Sequence, residues 1–423
     1  MLCGTGRRII NPEKGHHLAG YGLDNVNTGV HDEITVTALY LSDGQIEALL
    51  LSYDLVGIRG SLNQVIRQAV SEASGVPLER VFLTTTHVHS GPEVRDHSLE
   101  SGPKSISRED YRQRLVDWSA QAGKEAKASA EPCVLHYNYT QAEENMNRRF
   151  MLPDRRAFYI PKYKHLAGLS DQFVDRELGI LAFRKDGTPN QYKAFLTNYA
   201  AHPLCVGNSS NLVSADYQGY IRRTVEETFA GCMCLATTGA AGDQHPLLPE
   251  SGFANAQRMG TVLGSLAITR TFDAIRVEYD QKLRTSWNDI VLKLKDDATR
   301  GMLPSKAGRE HVPHAARTGA KEIQTNFGLL GIGPILLAAV PGELVAELGA
   351  MIKWSSPFLK TYVLFQSTDA CGYIPARNQY CWGNYEANAS PMAAGEGEKL
   401  VQAIVEAACE LVRQSPLELP VVE

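Results

Sequence analysis

Five short apolar runs in this chain are each followed, within a few residues, by a side chain suited to catalysis or metal binding. Each run is the size of a buried strand, and stretches with helical spacing, such as residues 61–73 and 254–272, lie between them. Strands that alternate with helices predict an α/β fold, here mixed β-sheets flanked by helices. The runs are residues 81–83, 195–196, 234–235, 335–337 and 363–365.

The side chains that follow these runs belong together chemically. In α/β sheets, residues beyond the carboxyl ends of strands collect at one site, so these groups are expected to meet in space. Two imidazoles, one carboxylate and one phenolic oxygen form a nitrogen and oxygen shell that suits zinc and leaves room for water. The predicted ligands are His87, His202, Glu343 and Tyr373, while Asp243 and His245 follow the run at 234–235.

Each of these residues also has an ordinary structural explanation. A carboxylate at Glu343 could simply begin a helix, where the helix dipole favours it. His202 stands before a proline and could be a turn residue bonded to nearby backbone. The coincidence of five strand ends favours a metal site over separate explanations for each residue.

The densest motif is the segment 84–92, Thr-Thr-Thr-His-Val-His-Ser-Gly-Pro. It reads as a buried strand closed by a Gly-Pro turn. Because side chains alternate along a strand, His87 and His89 are predicted to share one face, and the second imidazole can orient the first. The alternative is two histidines in a polar loop held by backbone hydrogen bonds, since one His-x-His pair is compatible with both.

Bulk properties limit the organisation and the partners of the chain. Its 423 residues are 43% hydrophobic, which is enough for a large core, and no repeat or linker divides it, so residues 1–423 are predicted to form a single catalytic domain. Residues 8–32 are predicted to be a loop at the surface or a pocket rim, and the polar segment 295–323 a mobile insertion. The net charge of −5 and the lack of a basic patch argue against nucleic acid.

The location of the protein is predicted to be cytoplasmic. The first eight residues lack the apolar core of a secretory signal, and no apolar stretch reaches the length of a membrane span. Eight scattered cysteines form no Cys-x-x-Cys pair, so buried free thiols are expected instead of disulfides.

Several segments, in order along the chain, resemble those of the neutral/alkaline non-lysosomal ceramidase family. The segment 86–92 is similar to the family's metal-binding segment. The resemblance implies a shell of two histidines, a glutamate and a tyrosine around zinc, which falls on the four predicted ligands, with His89 as a neighbouring or substrate-side histidine. It also implies hydrolysis of an amide by zinc-bound water. The other similar segments are 198–203, 214–216, 239–243, 341–343, 372–373 and 385–387.

The chain departs from ceramide-cleaving members of that family at one position of the expected site. Those members carry a pattern like Gly-Asp-x-Ser-Pro where this chain has Gly-Asp-Gln-His-Pro at 242–246, so His245 stands in place of their active-site serine. The chain also resembles a shorter member, without the C-terminal β-sandwich domain or secretion signal. We therefore expect a small-molecule amide substrate that is smaller and more polar than ceramide.

The remaining candidate residues are assigned by their chemistry. His89 or His245 would act as a proton shuttle or oxyanion donor, with Asp243 beside them. Arg148, Arg149 and Arg377 are candidates for orienting a substrate carboxylate, although a solvated or ion-paired loop is the favoured explanation for the first two. Two other functions stay open: metal-dependent acyl transfer or cyclisation on the same site, and a binding protein that has lost turnover.

Overall fold

The computed structural model describes residues 1–21, 25–94, 109–151, 157–159, 172–208, 210–247, 250–296, 320–383 and 385–418. Residues 297–319 of the insertion predicted at 295–323 therefore lie outside the described residues. Within the described ranges the chain forms 21 β-strands and eight α-helices. None of these helices is long and apolar enough to cross a membrane.

Most strands belong to two sheets. The first has nine strands in the order β13-β11-β10-β6-β1-β3-β4-β5, with β15 also paired to β6, and the second has the order β16-β17-β18-β20. The first sheet consists of β1 (Leu2–Ile9), β3 (Thr35–Ser42), β4 (Glu47–Tyr53), β5 (Val81–Thr85), β6 (Glu131–Gln141), β10 (Glu177–Lys185), β11 (Tyr192–Tyr199), β13 (Met233–Thr238) and β15 (Ile275–Val277). The second consists of β16 (Leu283–Lys293), β17 (Glu322–Ile332), β18 (Ile335–Ala339) and β20 (Lys360–Leu364).

Short strand pairs and helices complete the architecture. The pairs are β2 (Gly29–Val30) with β12 (Leu212–Val213), β7 (Asn145–Asn147) with β14 (Gln244–Pro246), β8 (Arg149–Met151) with β9 (Ala157–Tyr159), and β19 (Glu343–Leu344) with β21 (Tyr373–Ile374). The helices are α1 (Gly60–Ser74), α2 (Glu109–Ala128), α3 (Asp216–Thr228), α4 (Phe253–Thr271), α5 (Ala346–Ser355), α6 (Arg377–Trp382), α7 (Tyr385–Ala389) and α8 (Glu396–Gln414).

The two large sheets pack face to face between two layers of helices. Their shared core contains Leu50, Leu181 and Leu235 from the first sheet and Leu337 and Leu364 from the second. Helices α1 to α4 cover the outer face of the first sheet, and α5 and α8 cover the outer face of the second. The predicted fold class, mixed sheets flanked by helices, is confirmed.

Three parallel strand pairs bring their carboxyl ends to one region. These pairs are β4 with β5, β11 with β13, and β18 with β20. Hydroxyl groups join the ends, because Thr238 Oγ1 donates to Thr86 O at 2.7 Å and Thr84 Oγ1 donates to Phe365 O at 3.2 Å. The strand-end location predicted for the site is therefore built into the sheets.

The strand β1 differs from the sequence-based expectation, which assigned no strand to the first residues and a loop from residue 8 onward. It lies inside the first sheet, between β6 and β3. A Cβ at Gly4 would lie 2.0 Å from Ala126 O, and one at Gly6 would lie 2.3 Å from Ala122 O, so α2 can cross this strand only where side chains are missing. Glycine has a low β-propensity, and for that reason the strand was missed.

The two sheets approach each other closely at Gly179 on β10. A Cβ at this position would lie 2.1 Å from the ring of buried Tyr362 on β20. We expect Gly179→Ala to lower the free energy of unfolding by about 1–3 kcal/mol through overpacking, as measured by urea denaturation. In a Tyr362→Leu background the same substitution should cost less, and an equal cost in both backgrounds would show that the ring is not the cause.

Candidate metal site

His87 is presented by a turn and not by a strand. Strand β5 ends at Thr85, and His87 has a left-handed backbone with φ of 66°. The alternation argument from the sequence therefore does not apply, yet the rings of His87 and His89 still meet, with centroids 4.9 Å apart. The strained conformation of His87 is typical of functional positions held by their surroundings, and its ring Nδ1 is bonded to Val56 O.

His202 reaches the same point from the end of β11. Its Nδ1 lies 2.6 Å from Ala241 O, and its ring centroid lies 4.8 Å from that of His87. The side chain is fully buried. Burial, with the nearby Arg148 cation, lowers the pKa of His202 to about 3, so the imidazole is neutral at physiological pH.

Segments that follow strands β18 and β20 of the second sheet supply a carboxylate and a phenol. Glu343 Oε2 lies 3.5 Å from His87 Nε2 and 3.4 Å from His202 Nε2. The parallel pair β19–β21 sets Glu343 directly beside Tyr373. Burial, together with the Glu343 charge, raises the pKa of Tyr373 well above its usual value. The four residues that the sequence selected as ligands are therefore neighbours in the structure.

The donor atoms fit a divalent metal ion. A backbone carbonyl can only accept a hydrogen bond, so Nδ1 of His87 and of His202 must carry the proton. Each Nε2 then has a lone pair, and both lone pairs face one electron-rich oxygen of Glu343, an arrangement that is repulsive while no proton or cation lies between them. A cation between these atoms would remove the repulsion, and a set of imidazole and carboxylate ligands is typical of zinc.

His89 is the third imidazole of the cluster and is partly exposed. Its Nε2 lies 3.3 Å from His87 Nε2, and the donor atoms of His87, His89 and His202 all lie within 4.8 Å of one another. Residues 20 and 21 pack against the His89 ring. A Cβ at Gly20 would lie 2.4 Å from His89 Nδ1, and the centroid of the Tyr21 ring lies 5.2 Å from that of the His89 ring. Only glycine allows this approach.

Asp243 connects segments around the site. Its Oδ1 accepts hydrogen bonds from Ala346 N at 2.9 Å and Gln244 Nε2 at 3.0 Å, and its Oδ2 accepts from Asn147 Nδ2 at 3.0 Å and Gln379 Nε2 at 3.2 Å. Both carboxylate oxygens are thus used to join β7, α5 and α6. This geometry gives Asp243 a structural task beside the predicted catalytic one.

His245 lies on β14 and is buried. Its backbone is paired with Met146 of β7, and the neighbouring Gln244 O accepts a hydrogen bond from His202 N at 3.1 Å. Its Nδ1 lies 2.8 Å from Pro246 O, so the proton is on Nδ1. The segment that carries His245 therefore adjoins the segment that carries a predicted ligand.

The arginines predicted to bind substrate have protein partners. Arg148 Nε donates to Glu386 Oε1 at 2.6 Å and Arg149 Nη1 donates to Glu386 Oε2 at 2.8 Å, and all three side chains are buried. This arrangement matches the ion-paired alternative. Burial alone would raise the pKa of Glu386, but the two guanidiniums lower it below its usual value. The third predicted arginine, Arg377, is exposed, with its backbone N–H bonded to Glu398.

Three residues near the site were missed by sequence reasoning. Phe365 forms a wall, with its ring 5.1 Å from His87 and 5.9 Å from His202. Gln366 has φ of 44°, and its Nε2 lies 3.3 Å from His87 Nδ1. Glu386 was quoted only as part of a family-like segment. The first two directly follow the strand β20, which is the one signal that could have identified them.

Comparison with known proteins gives one family and two solved structures. A sequence model described as neutral/alkaline non-lysosomal ceramidase, N-terminal, matches residues 2–241. The chain is similar to neutral ceramidase from Pseudomonas aeruginosa, with a TM-score of 0.76 and 16% identity, over 100% of this chain and 76% of that one. A structure described as ceramidase complexed with C2 gives a TM-score of 0.76 and 17% identity over the same shares. No curated protein sequence matches the chain.

Metal content tests the site directly. We expect about one zinc per chain after equilibration with zinc and removal of excess, and little zinc in His87→Ala or His202→Ala, because losing one protein ligand weakens such a shell severely. Elemental analysis gives the measurement. His136→Gln, which alters a buried histidine on β6, is the matched control and should keep its zinc. Full occupancy in both His87→Ala and His202→Ala would refute the site.

Proposed function

The chain belongs to the neutral/alkaline non-lysosomal ceramidase family, and we propose that this hydrolase is zinc-dependent and cleaves an amide bond in a substrate smaller and more polar than ceramide. One observation carries the proposal: Nε2 of both His87 and His202 lies within 3.5 Å of one Glu343 oxygen. This arrangement of donor atoms suits a cation, and the family context makes amide hydrolysis the reaction that such a cation would serve.

Four residues would hold the zinc ion: His87, His202, Glu343 and Tyr373. When bound, zinc would polarise the amide carbonyl and lower the pKa of a water molecule toward neutrality. The carbonyl groups of Val56 and Ala241 hold the two imidazoles in the required tautomer. Since the predicted ligands follow strands of both large sheets, we also propose that the chain works as a single catalytic domain.

His89 is assigned to the substrate side of the site. It is more exposed than His87 and His202, and its Nε2 lies 3.3 Å from His87 Nε2. An imidazole in this position can take a proton from the attacking water and return it to the leaving amine. The wall formed by Gly20 keeps the ring close to the predicted ligands while it does so.

His245 is proposed to select the substrate. With the Nδ1 proton bonded to Pro246 O, Nε2 is the nitrogen that can interact with a reacting group. An imidazole is much larger than the serine side chain of ceramide-cleaving members, and its ring nitrogen can form a hydrogen bond with a polar group. A narrower, more polar pocket favours a small polar amide over a lipid with two long chains.

A substrate panel tests the reaction and the substrate class together. Short-chain and long-chain ceramides, N-acyl amino acids and small polar amides would be offered to the zinc-loaded protein, and the products analysed by mass spectrometry. We expect cleavage of a polar amide that stops after zinc is removed by a chelator and returns with zinc. Efficient ceramide cleavage with polar amides untouched would refute the substrate class. A new amide or ring formed without water would indicate acyl transfer or cyclisation.

Substitution of His245 tests its role separately from that of the metal. His245→Ala should lower kcat by roughly a hundredfold, the effect of losing a proton donor or acceptor, while zinc stays bound. Steady-state kinetics and elemental analysis on one preparation give both values. His245→Ser, which places the family residue at this position, serves as the companion and should accept longer acyl chains. Unchanged kcat in His245→Ala would leave His245 with a structural role on β14.

A further inference from the structure

We propose that Glu386 is a positioning residue, whose carboxylate fixes the Arg148 guanidinium against the hydroxyl of Tyr373. The proposal rests on the proposed function, because Tyr373 matters here as a predicted metal ligand. Glu386 lies on α7, outside the strand ends that supply the predicted ligands. Its effect on the reaction would therefore be indirect, through one arginine.

The carboxylate of Glu386 is committed on both sides. It is fully buried, and Oε1 accepts from Arg148 Nε at 2.6 Å while Oε2 accepts from Arg149 Nη1 at 2.8 Å. Charge-assisted bonds of this length fix geometry as well as charge. A buried ion needs such partners, since an isolated charge would be very costly away from water.

Arg148 transmits this geometry to the site. Its Nη2, which belongs to the same planar guanidinium as Nε, donates to Gly242 O at 2.7 Å and to Tyr373 Oη at 3.2 Å. Because the guanidinium is rigid, fixing Nε on Glu386 also fixes where Nη2 lies. A hydroxyl that accepts from a cation on one side must direct its proton, or the ligand bond that replaces it, elsewhere. Arg148 thus sets the direction that Tyr373 Oη faces.

Arg149 completes the arrangement from the second side. Its Nη2 donates to Gly383 O at 2.9 Å, just before α7. The Tyr385 ring, also on α7, lies 5.4 Å from the Tyr373 ring. Two guanidiniums and one carboxylate leave a local charge of +1 at this point. Glu386 therefore has two separable effects: it compensates charge, and it orients Arg148.

The two effects separate in a pair of variants. Glu386→Met leaves two buried cations without a counter-charge, whereas Glu386→Met with Arg149→Met returns the local charge to +1 but supplies no acceptor for Arg148. Zinc affinity by competition with a chromophoric chelator, kcat, KM and the urea midpoint would be measured for each. We expect the double variant to regain most of the midpoint yet bind zinc at least tenfold more weakly, with kcat lowered and KM little changed.

A background without the Tyr373 hydroxyl tests the route of the effect. If Glu386 acts through Arg148 and Tyr373, then Glu386→Met should weaken zinc binding much less in Tyr373→Phe than in the parent chain. Glu386→Asp, which shortens the side chain by one methylene and keeps its charge, is a milder substitution. Its effect on zinc affinity would also be compared between the parent chain and Tyr373→Phe. An equal loss of zinc affinity in both backgrounds would overturn the positioning role.

A matched control separates this role from the general cost of breaking a buried ion pair. Asp280 holds the buried Arg284 at 3.0 Å beside residues 415 and 416, so Asp280→Asn should lower stability and leave zinc affinity unchanged. A double variant of Glu386 and Arg149 with the zinc affinity and kcat of the parent would show that Glu386 only compensates charge. A parent chain that binds no zinc would instead refute the proposed function, and this inference with it.

Discussion

The site depends on the face-to-face packing of two sheets, because each sheet supplies half of the predicted ligands. His87 and His202 follow strands of the first sheet, while Glu343 and Tyr373 follow strands of the second. Asn198 spans the boundary, since its Nδ2 donates to Thr237 Oγ1 at 3.0 Å and to Val363 O at 2.9 Å. A metal ion bound here would therefore also clamp the sheets together, so that metal affinity and fold stability are coupled.

The backbone, more than any side chain, prepares the imidazoles for a cation. The carbonyls of Val56 and Ala241 accept hydrogen bonds from Nδ1 of His87 and of His202, and both carbonyls lie in segments that directly follow strands of the first sheet. The result is a buried set of two ring nitrogens and a carboxylate whose free electron pairs converge, as the ligands of a metal ion do. Such preorganisation spares the protein most of the rearrangement that metal binding would otherwise require.

The sequence predicted the parts of the site that follow from local pattern. The apolar runs before His87, His202, Glu343 and Tyr373 were enough to predict that these residues lie close together. The ends of neighbouring strands meet whatever conformation the loops adopt. The left-handed turn at His87 and the buried partnership of Glu386 with two arginines could not be predicted in this way. Both arise from contacts between residues far apart in the chain. Strand β1 could not be predicted either, because its glycines, which allow α2 to pack closely on it, are uncommon in strands.

The order of the ligands along the chain has a consequence for how the protein forms during synthesis. The two imidazoles belong to the half of the chain that emerges first, and the carboxylate and phenol emerge only after residue 342. Until the strands from residue 283 onward are made, the inner face of the first sheet, with Leu50 and Leu181, has no second sheet to cover it. The nascent chain would thus present an apolar surface and two histidines without the other two predicted ligands. Such a state is open to aggregation and to binding of the wrong metal.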